Sequence, residues 1–307
     1  MKKAFYTLFT IVIAILTLGL YFTQRLMYIR KKDERLIINR EETAGRFHRK
    51  EWDQLPKENV WIPSPHSYNI RAVVVRPHQT NRFIVISHGV TENKMNSIKY
   101  MNIFLKRGFN AVIYDHRRHG ETGGDTTSYG FYEKDDLKAV VDWLYANEGN
   151  DLFLGIHGES MGAVTTLLYG ADPQSRAHFY IVDCPFSDLR KLLAYRIKQE
   201  IKIIPPTFLL PIGNWLLKLR NRYRMEDVSP ISVIERIEKP VLFIHSEKDD
   251  YILPSMTKEL YEKKRGEKML FLAKNGAHAQ SLNENREEYE KVIDEFLHTY
   301  VFTVQDH

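Results

Sequence analysis

The chain has 307 residues, 43% of them hydrophobic, and a formal net charge of +5. This length holds one large domain with an appendage, and the composition is that of a globular protein, not a disordered or fibrous one. The charge is mild and scattered, so the basic cluster Lys218, Arg220, Arg222 and Arg224 reads as a solvated face rather than a nucleic-acid footprint. Cys184 is the only cysteine, which excludes an internal disulfide and a cysteine-based metal cluster.

Lys2 and Lys3 precede an uncharged apolar stretch, residues 4–23, of about the length that spans a bilayer core. Phe5, Tyr6, Tyr21 and Phe22 at its two ends suit the membrane interfaces. Residues 1–23 are therefore expected to be a single-pass anchor at the cell membrane. A cleaved signal peptide is the rival reading, with the weak pattern Thr17-Leu18-Gly19 as its best cleavage site. The side of the membrane stays open. The basic residues Arg25, Arg30, Lys31, Lys32, Arg35 and Arg40 place the following domain in the cytoplasm, whereas a short N-terminal tail that stays inside places it outside. Residues 24–56 are charged and lack a period, as expected of a juxtamembrane helix or linker. Within them Lys31-Lys32-Asp33-Glu34-Arg35 reads as a solvated face.

Residues 57–302 read as one α/β domain. Residues 60–62 and 70–75 form strands around a turn at Pro65-His66-Ser67, and Phe83-Ile84-Val85-Ile86-Ser87 is an apolar strand buried on both faces. A helix over 95–106 and a strand over 111–114 follow. Next come a helix over 133–146 with Leu137, Val140, Val141 and Leu144 on one face, and a strand over 152–156. Strands at 179–182, 241–244 and 269–272 and a last helix over 285–300 complete the pattern. Alternating strands and helices predict a mostly parallel central sheet with helices on both faces. Residues 185–235 separate two core strands by more than one crossover needs. Their apolar residues, including 201–210 and Trp215-Leu216-Leu217, read as a helical cap over the C-terminal edge of the sheet.

Gly158-Glu159-Ser160-Met161-Gly162 follows the strand at 152–156 and leads into a helical run. This is the pattern of a nucleophile elbow. Ser160 would sit at the tip of a strained strand-to-helix turn, with Gly158 and Gly162 letting strand and helix approach. A serine nucleophile needs a base, an acid and an oxyanion hole. His278, in a loop after the strand at 269–272, is the candidate base. Asp249, after the strand at 241–244, is the candidate acid, and its neighbour Asp250 is the rival. The backbone N–H groups of Met161 and Val90 are the candidate oxyanion donors, the latter in the loop His88-Gly89-Val90-Thr91. His116 and His119 have no carboxylate between them, so no metal site is expected, and the chemistry needs no cofactor. Arg117, Arg118 and Glu121 are expected to shape a loop by ion pairing. Ser128-Tyr129-Gly130 is expected to cap the following helix.

In these segments the chain resembles the α/β-hydrolase superfamily. The resemblance rests on His88-Gly89, Asp115-His116-Arg117-Arg118-His119-Gly120, the elbow, His245-Ser246-Glu247-Lys248-Asp249 and Gly276-Ala277-His278. It is similar to the branch that includes S33 serine aminopeptidase-type hydrolases, monoacylglycerol lipases and acyl esterases. With residues 128–136 included, it resembles membrane-anchored hydrolases of Gram-positive bacteria. Ser246, where the family often has glycine, and Leu253, where it often has proline, depart from the pattern. The resemblance implies an α/β-hydrolase fold and a hydrolase acting by Ser160, His278 and Asp249 on an acyl ester. A peptidase or amidase, an acyltransferase, or a non-catalytic membrane-anchored binding protein are the alternatives. No nucleic-acid partner is expected, and oligomeric state is not legible.

Overall fold

The structure, a computed structural model, describes residues 2–200 and 205–302. Its centre is an eight-stranded sheet in the order β1-β2-β4-β3-β5-β6-β7-β8. The strands are β1 (Lys57–Pro63), β2 (Asn69–Val75), β3 (Arg82–Ser87), β4 (Asn110–Tyr114), β5 (Phe153–Glu159), β6 (Phe179–Asp183), β7 (Val241–Ser246) and β8 (Lys268–Ala273). β2 runs antiparallel to both of its neighbours, and every other pairing from β4 to β8 is parallel. The strand order is that of an α/β-hydrolase fold.

Side chains alternate across the strands, so the sheet buries two cores. Val74, Val85, Val112, Ile156, Val182 and Phe243 face one layer of helices, and Val75, Ile84, Ile113, Ile181 and Ile244 face the other. Burial on both faces explains why the central strands read as unbroken apolar runs. Each expected strand appears within a few residues of its place. The expected helix over 95–106 divides into a 3-10 turn, Lys94–Ser97, and a helix, Ile98–Leu105. Ser128–Gly130 does not supply the expected side-chain cap of the helix Glu133–Glu148, whose N-cap residue is Tyr132. Ser128 Oγ instead accepts from Tyr132 N–H at 2.9 Å, and the Glu133 carboxylate accepts from Ser128 and Gly130, which ties the loop to the helix start.

Between β6 and β7 the chain leaves the sheet as helices Leu189–Glu200 and Pro206–Asn221. Of the apolar stretch 201–210, residues 201–204 lie outside the described residues. Pro205 and Pro206 start the second helix, where proline's fixed φ and missing N–H cost nothing.

The N-terminal helix α1 (Lys2–Met27) contains one segment, Phe5–Met27, with the length and hydropathy (mean 2.1) of a membrane span or signal sequence. Its last turns do not stand free. Leu26 and Met27 are buried with the cap residues Leu189, Leu209 and Leu217. Gly19 and Gly213 mark the crossing of α1 with the cap helix Pro206–Asn221. A Cβ on Gly19 would fall 2.7 Å from Ile212 Cγ2, and one on Gly213 would fall 2.9 Å from Phe22 Cδ1. Arg220, expected on a solvated face, instead donates to Thr23 Oγ1 (2.7 Å) and Gln24 Oε1 (2.6 Å) on α1.

Residues of the charged segment form a second helix, α2 (Glu34–Thr43), capped by the Asp33 side chain. It buries Ile37 and Glu41 against the domain. Arg35 is exposed, as expected, but Lys32 and Glu34 are engaged: Lys32 pairs with Glu92, and Glu34 accepts from Lys94 Nζ at 3.3 Å.

Candidate active site

β3 lies between β4 and β5, so the chain moves to opposite sides of β3 in successive crossovers. A crevice opens at such a switch point beyond the strand C-termini. Ser87 on β3 pairs in register with Gly158 on β5. The loops that follow them, His88–Glu92 and Glu159–Met161, therefore leave the sheet side by side. Ser160 has φ 54° and ψ −115°, a conformation that costs an L-residue about 1–3 kcal/mol. Packing enforces it. A Cβ on Gly158 would lie 2.3 Å from Gly162 O, and a Cβ on Gly162 would lie 2.1 Å from Ser87 O, so only glycine lets the strand and the helix Met161–Gly170 come this close. The Ser160 N–H donates to Asp183 O at 2.8 Å.

Ser160 occupies the N-cap position, yet its hydroxyl makes no capping bond. Ser160 Oγ lies 2.8 Å from His278 Nε2 instead, and His278 Nδ1 lies 2.7 Å from Asp249 Oδ2. Asp249 Oδ1 accepts the N–H groups of Tyr251 and Ile252, each at 2.9 Å. Burial alone would raise the Asp249 carboxyl. Hydrogen bonds from His245 and His278 outweigh it and hold the group well below the usual carboxylate range. Asp250 is exposed, and only its carbonyl is engaged, by Tyr195 OH at 2.9 Å. The geometry thus brings Ser160, His278 and Asp249 together, and leaves Asp250 out.

The Gly89 carbonyl is held from two sides. His88 Nε2 accepts the His116 N–H at 3.0 Å, so its proton sits on Nδ1, which donates to Gly89 O at 2.7 Å. Glu92 N–H donates to the same oxygen at 3.3 Å. In a trans peptide the C=O and the next N–H point in opposite directions, so this anchoring turns the Val90 N–H away from its own loop. A Cβ on Gly89 would lie 3.5 Å from Ser160 Cβ, which puts this peptide beside the elbow. Neither Val90 N–H nor Met161 N–H donates to a protein group among the described residues. Desolvation keeps the buried His88 and His119 neutral, with pKa values pushed down to about 4 and about 3.

Three partners escape sequence reasoning. His245 Nε2 lies 3.0 Å from Asp249 Oδ2 and 2.9 Å from Ile252 O, gripping the acid loop from β7. Glu159, beside Ser160, is buried on Lys99 Nζ (3.1 Å), Tyr100 OH (2.6 Å) and Asn96 Nδ2 (3.1 Å). The Ser246 hydroxyl, a departure from the family pattern, lies 3.0 Å from Ser281 Oγ, which in turn donates to Asp183 Oδ1 at 2.8 Å. The other departure, Leu253-Pro254, places proline at the first turn of the helix Pro254–Lys263. Arg117 does not ion-pair as expected. Its guanidinium lies over the rings of Tyr132 (4.5 Å) and Tyr68 (5.7 Å).

A parallel sheet with a glycine-flanked serine elbow at its switch point defines an α/β hydrolase. The chain belongs to the family described as serine aminopeptidase, S33, whose model matches residues 78–233. It is 50% identical over 298 residues to the uncharacterized protein YqkD of Bacillus subtilis (strain 168), a match covering 97% of each chain. Its fold is similar to that of the Pyrococcus furiosus esterase Pf2001, at 22% identity and a TM-score of 0.68 over 83% of this chain and 95% of that one. It is also similar to Pyrococcus horikoshii acylaminoacyl peptidase, at 17% identity and a TM-score of 0.60 over 84% of this chain and 44% of that one. At such identities the likeness is one of fold alone.

Proposed function

We propose that this hydrolase is a membrane-tethered serine esterase that cleaves carboxylic esters through an acyl-enzyme. The observation that carries the reading is the unbroken line from Ser160 Oγ through His278 to Asp249, with contacts of 2.8 and 2.7 Å. In this reading Ser160 Oγ attacks the ester carbonyl while His278 Nε2 takes its proton. Asp249 holds the imidazole in the tautomer with its proton on Nδ1 and stabilises the imidazolium that forms. Negative charge on the carbonyl oxygen is accepted by the N–H groups of Val90 and Met161. Collapse expels the alcohol, which receives the proton from His278, and water repeats the sequence to release the acid.

The description of the family favours a peptidase as the second reading. An aminopeptidase needs a free carboxylate near the site to hold the substrate's amine. In the cap, Asp188, Glu200, Glu226, Asp227 and Glu235 are each engaged by a basic side chain or a backbone N–H. That favours the ester. The apolar helix α1 supports tethering, with the side of the membrane set by protease protection in intact cells.

The test is labelling of the full chain with a fluorophosphonate, followed by turnover of p-nitrophenyl esters of increasing acyl length. Wild type should label and Ser160→Ala should not, with ester turnover down on the order of 10⁴-fold or more. A wild-type protein that neither labels nor turns over any ester refutes the reading. Labelling with turnover of aminoacyl amides only would select the peptidase.

A further inference from the structure

The segment between the apolar helix and the domain grips the loop His88–Glu92 directly and is linked to Glu159 through Asn96. Its main contact is Arg40, on α2. Arg40 donates to both oxygens of Glu92, at 2.9 Å each, and from the same NH2 group to Asn96 Oδ1 at 2.9 Å. Its Nε donates to Glu41 Oε1 at 2.7 Å. Glu92 stands two residues after Val90. Asn96, its oxygen occupied by Arg40, turns its amide N–H toward Glu159 Oε1 at 3.1 Å, and Glu159 stands two residues before Met161. One guanidinium is therefore linked, through Glu92 on one side and through Asn96 and Glu159 on the other, to residues two positions from each backbone donor assigned to the oxyanion hole.

The loop it touches is under strain. Thr91 has φ +70°, in the left-handed region that a β-branched residue adopts only when held there. It is held at both ends: its N–H donates to His119 Nε2 at 3.2 Å, and its carbonyl accepts the Lys32 N–H at 2.9 Å. Lys32 also pairs through Nζ with Glu92, and Glu34 accepts from Asn93 Nδ2 at 3.1 Å. Burial alone would raise the Glu92 carboxyl, but the hydrogen bonds from Arg40 and Lys32 outweigh it and keep the group below its ordinary value, ionised and paired. A plain surface ion pair would lack this convergence on a strained loop, and exposed pairs contribute ~0–1 kcal/mol.

We propose that residues 32–41 form a clamp that fixes the loop carrying the Val90 N–H, and that Arg40 is a positioning residue for the oxyanion hole. The proposal rests on the serine-esterase reading. A bidentate guanidinium–carboxylate pair fixes orientation as well as distance, which is what a preorganised donor requires. Loosening the clamp leaves the substrate site intact but lets the Val90 N–H drift from the developing oxyanion, so the loss falls on the chemical step.

The experiment uses the full chain in detergent micelles with a p-nitrophenyl ester and a fluorophosphonate. Arg40→Gln should lower kcat and the labelling rate in parallel by ~10–100-fold, with KM within about twofold of wild type. Arg40→Lys, which keeps the charge but loses the fork, should not restore kcat. Glu92→Gln should give the same loss, and the double variant no larger one, because the two act as a unit. Arg49→Gln, which removes an exposed pair with Glu42 on the next helix, should leave kcat unchanged. Should Arg40→Gln fail to fold, Glu92→Gln decides by the same criteria. Unchanged kcat, a change in KM alone, or full rescue by lysine overturns the clamp. A wild-type protein that does not label overturns the esterase reading first and the clamp with it, so the two failures are distinct.

Discussion

Ser160 holds its unusual backbone angles because the strand and helix close on each other at Gly158 and Gly162, against the Ser87 backbone, while Asp183 O takes its N–H. The Gly162 position is the tightest, with a Cβ meeting backbone, which cannot rotate away as a side chain can. Gly162→Ala should therefore cost about 3 kcal/mol of folding stability and abolish fluorophosphonate labelling. A denaturant midpoint equal to wild type, with labelling retained, would count against this account of the elbow. The elbow was legible in the sequence because strand, turn and helix are consecutive there, and the glycines answer to local geometry. His278 and Asp249 were legible because each follows a strand whose apolar run is easy to see. The choice between Asp249 and Asp250 was not a matter of spacing. In the fold it is Asp249 that lies on His278, at 2.7 Å, with the N–H groups of Tyr251 and Ile252 on its other oxygen. Lys99 and Asn96 carried no local signal, since both act on Glu159, far along the chain.

Between elements, the contact that sequence reading missed is the crossing of α1 with the cap helix Pro206–Asn221. An apolar helix of this length reads as an anchor whether or not its last turns pack on anything. Here Gly19 and Gly213 bring the two backbones close, and Leu18, Phe22, Leu26 and Met27 join the cap's own core. Gly19→Leu should push the helices apart at an overpacking cost of about 1–3 kcal/mol. Hydrogen exchange across 206–221 should then quicken by roughly tenfold, with the central strands unchanged. Equal exchange in wild type and variant would show that α1 does not hold the cap. The segment 24–56 looked aperiodic because α2 buries only Ile37 and Glu41, with Ile38 partly buried beside them, while its contacts through Glu34 and Arg40 are ionic and follow no helical period.

Across the whole molecule, stability should depend on pH through two buried carboxyls, Asp183 and Asp136, set against the buried imidazoles of His88, His116, His119 and His157. Burial raises Asp183 to about 7 against a single donor, Ser281, and it raises Asp136 to about 7 despite the hydroxyls of Ser64 and Tyr68. Both folded pKa values lie above the unfolded one, so between about pH 4 and 7 the folded state holds protons that the unfolded chain has released. Their share of the stability therefore falls as pH rises through that window and levels off above about 7, while the four histidines, whose folded pKa values lie below the unfolded one, contribute stability that rises with pH up to about 6.5 and opposes it. The Asp183 share is on the order of a few kcal/mol. Asp183→Asn should remove one falling share, so stability should gain more, or lose less, from pH 5 to pH 8 than in wild type, as measured by denaturant unfolding at the two pH values. A slope equal to wild type would show that Asp183 is ionised throughout.

The order of apolar runs and turns was enough to specify a mostly parallel sheet, an elbow on its fifth strand and acidic and basic partners beyond later strands. Those features depend on period, strand ends and glycine placement, which are local properties of a chain. Three things were decided only on folding: which side chains steady Glu159, how α1 meets the cap, and how Arg40 joins Glu92 to Asn96 beside the site. Each joins residues tens to hundreds of positions apart, whose meeting is set by the packing of layers on the sheet and leaves no pattern in the sequence around any of them.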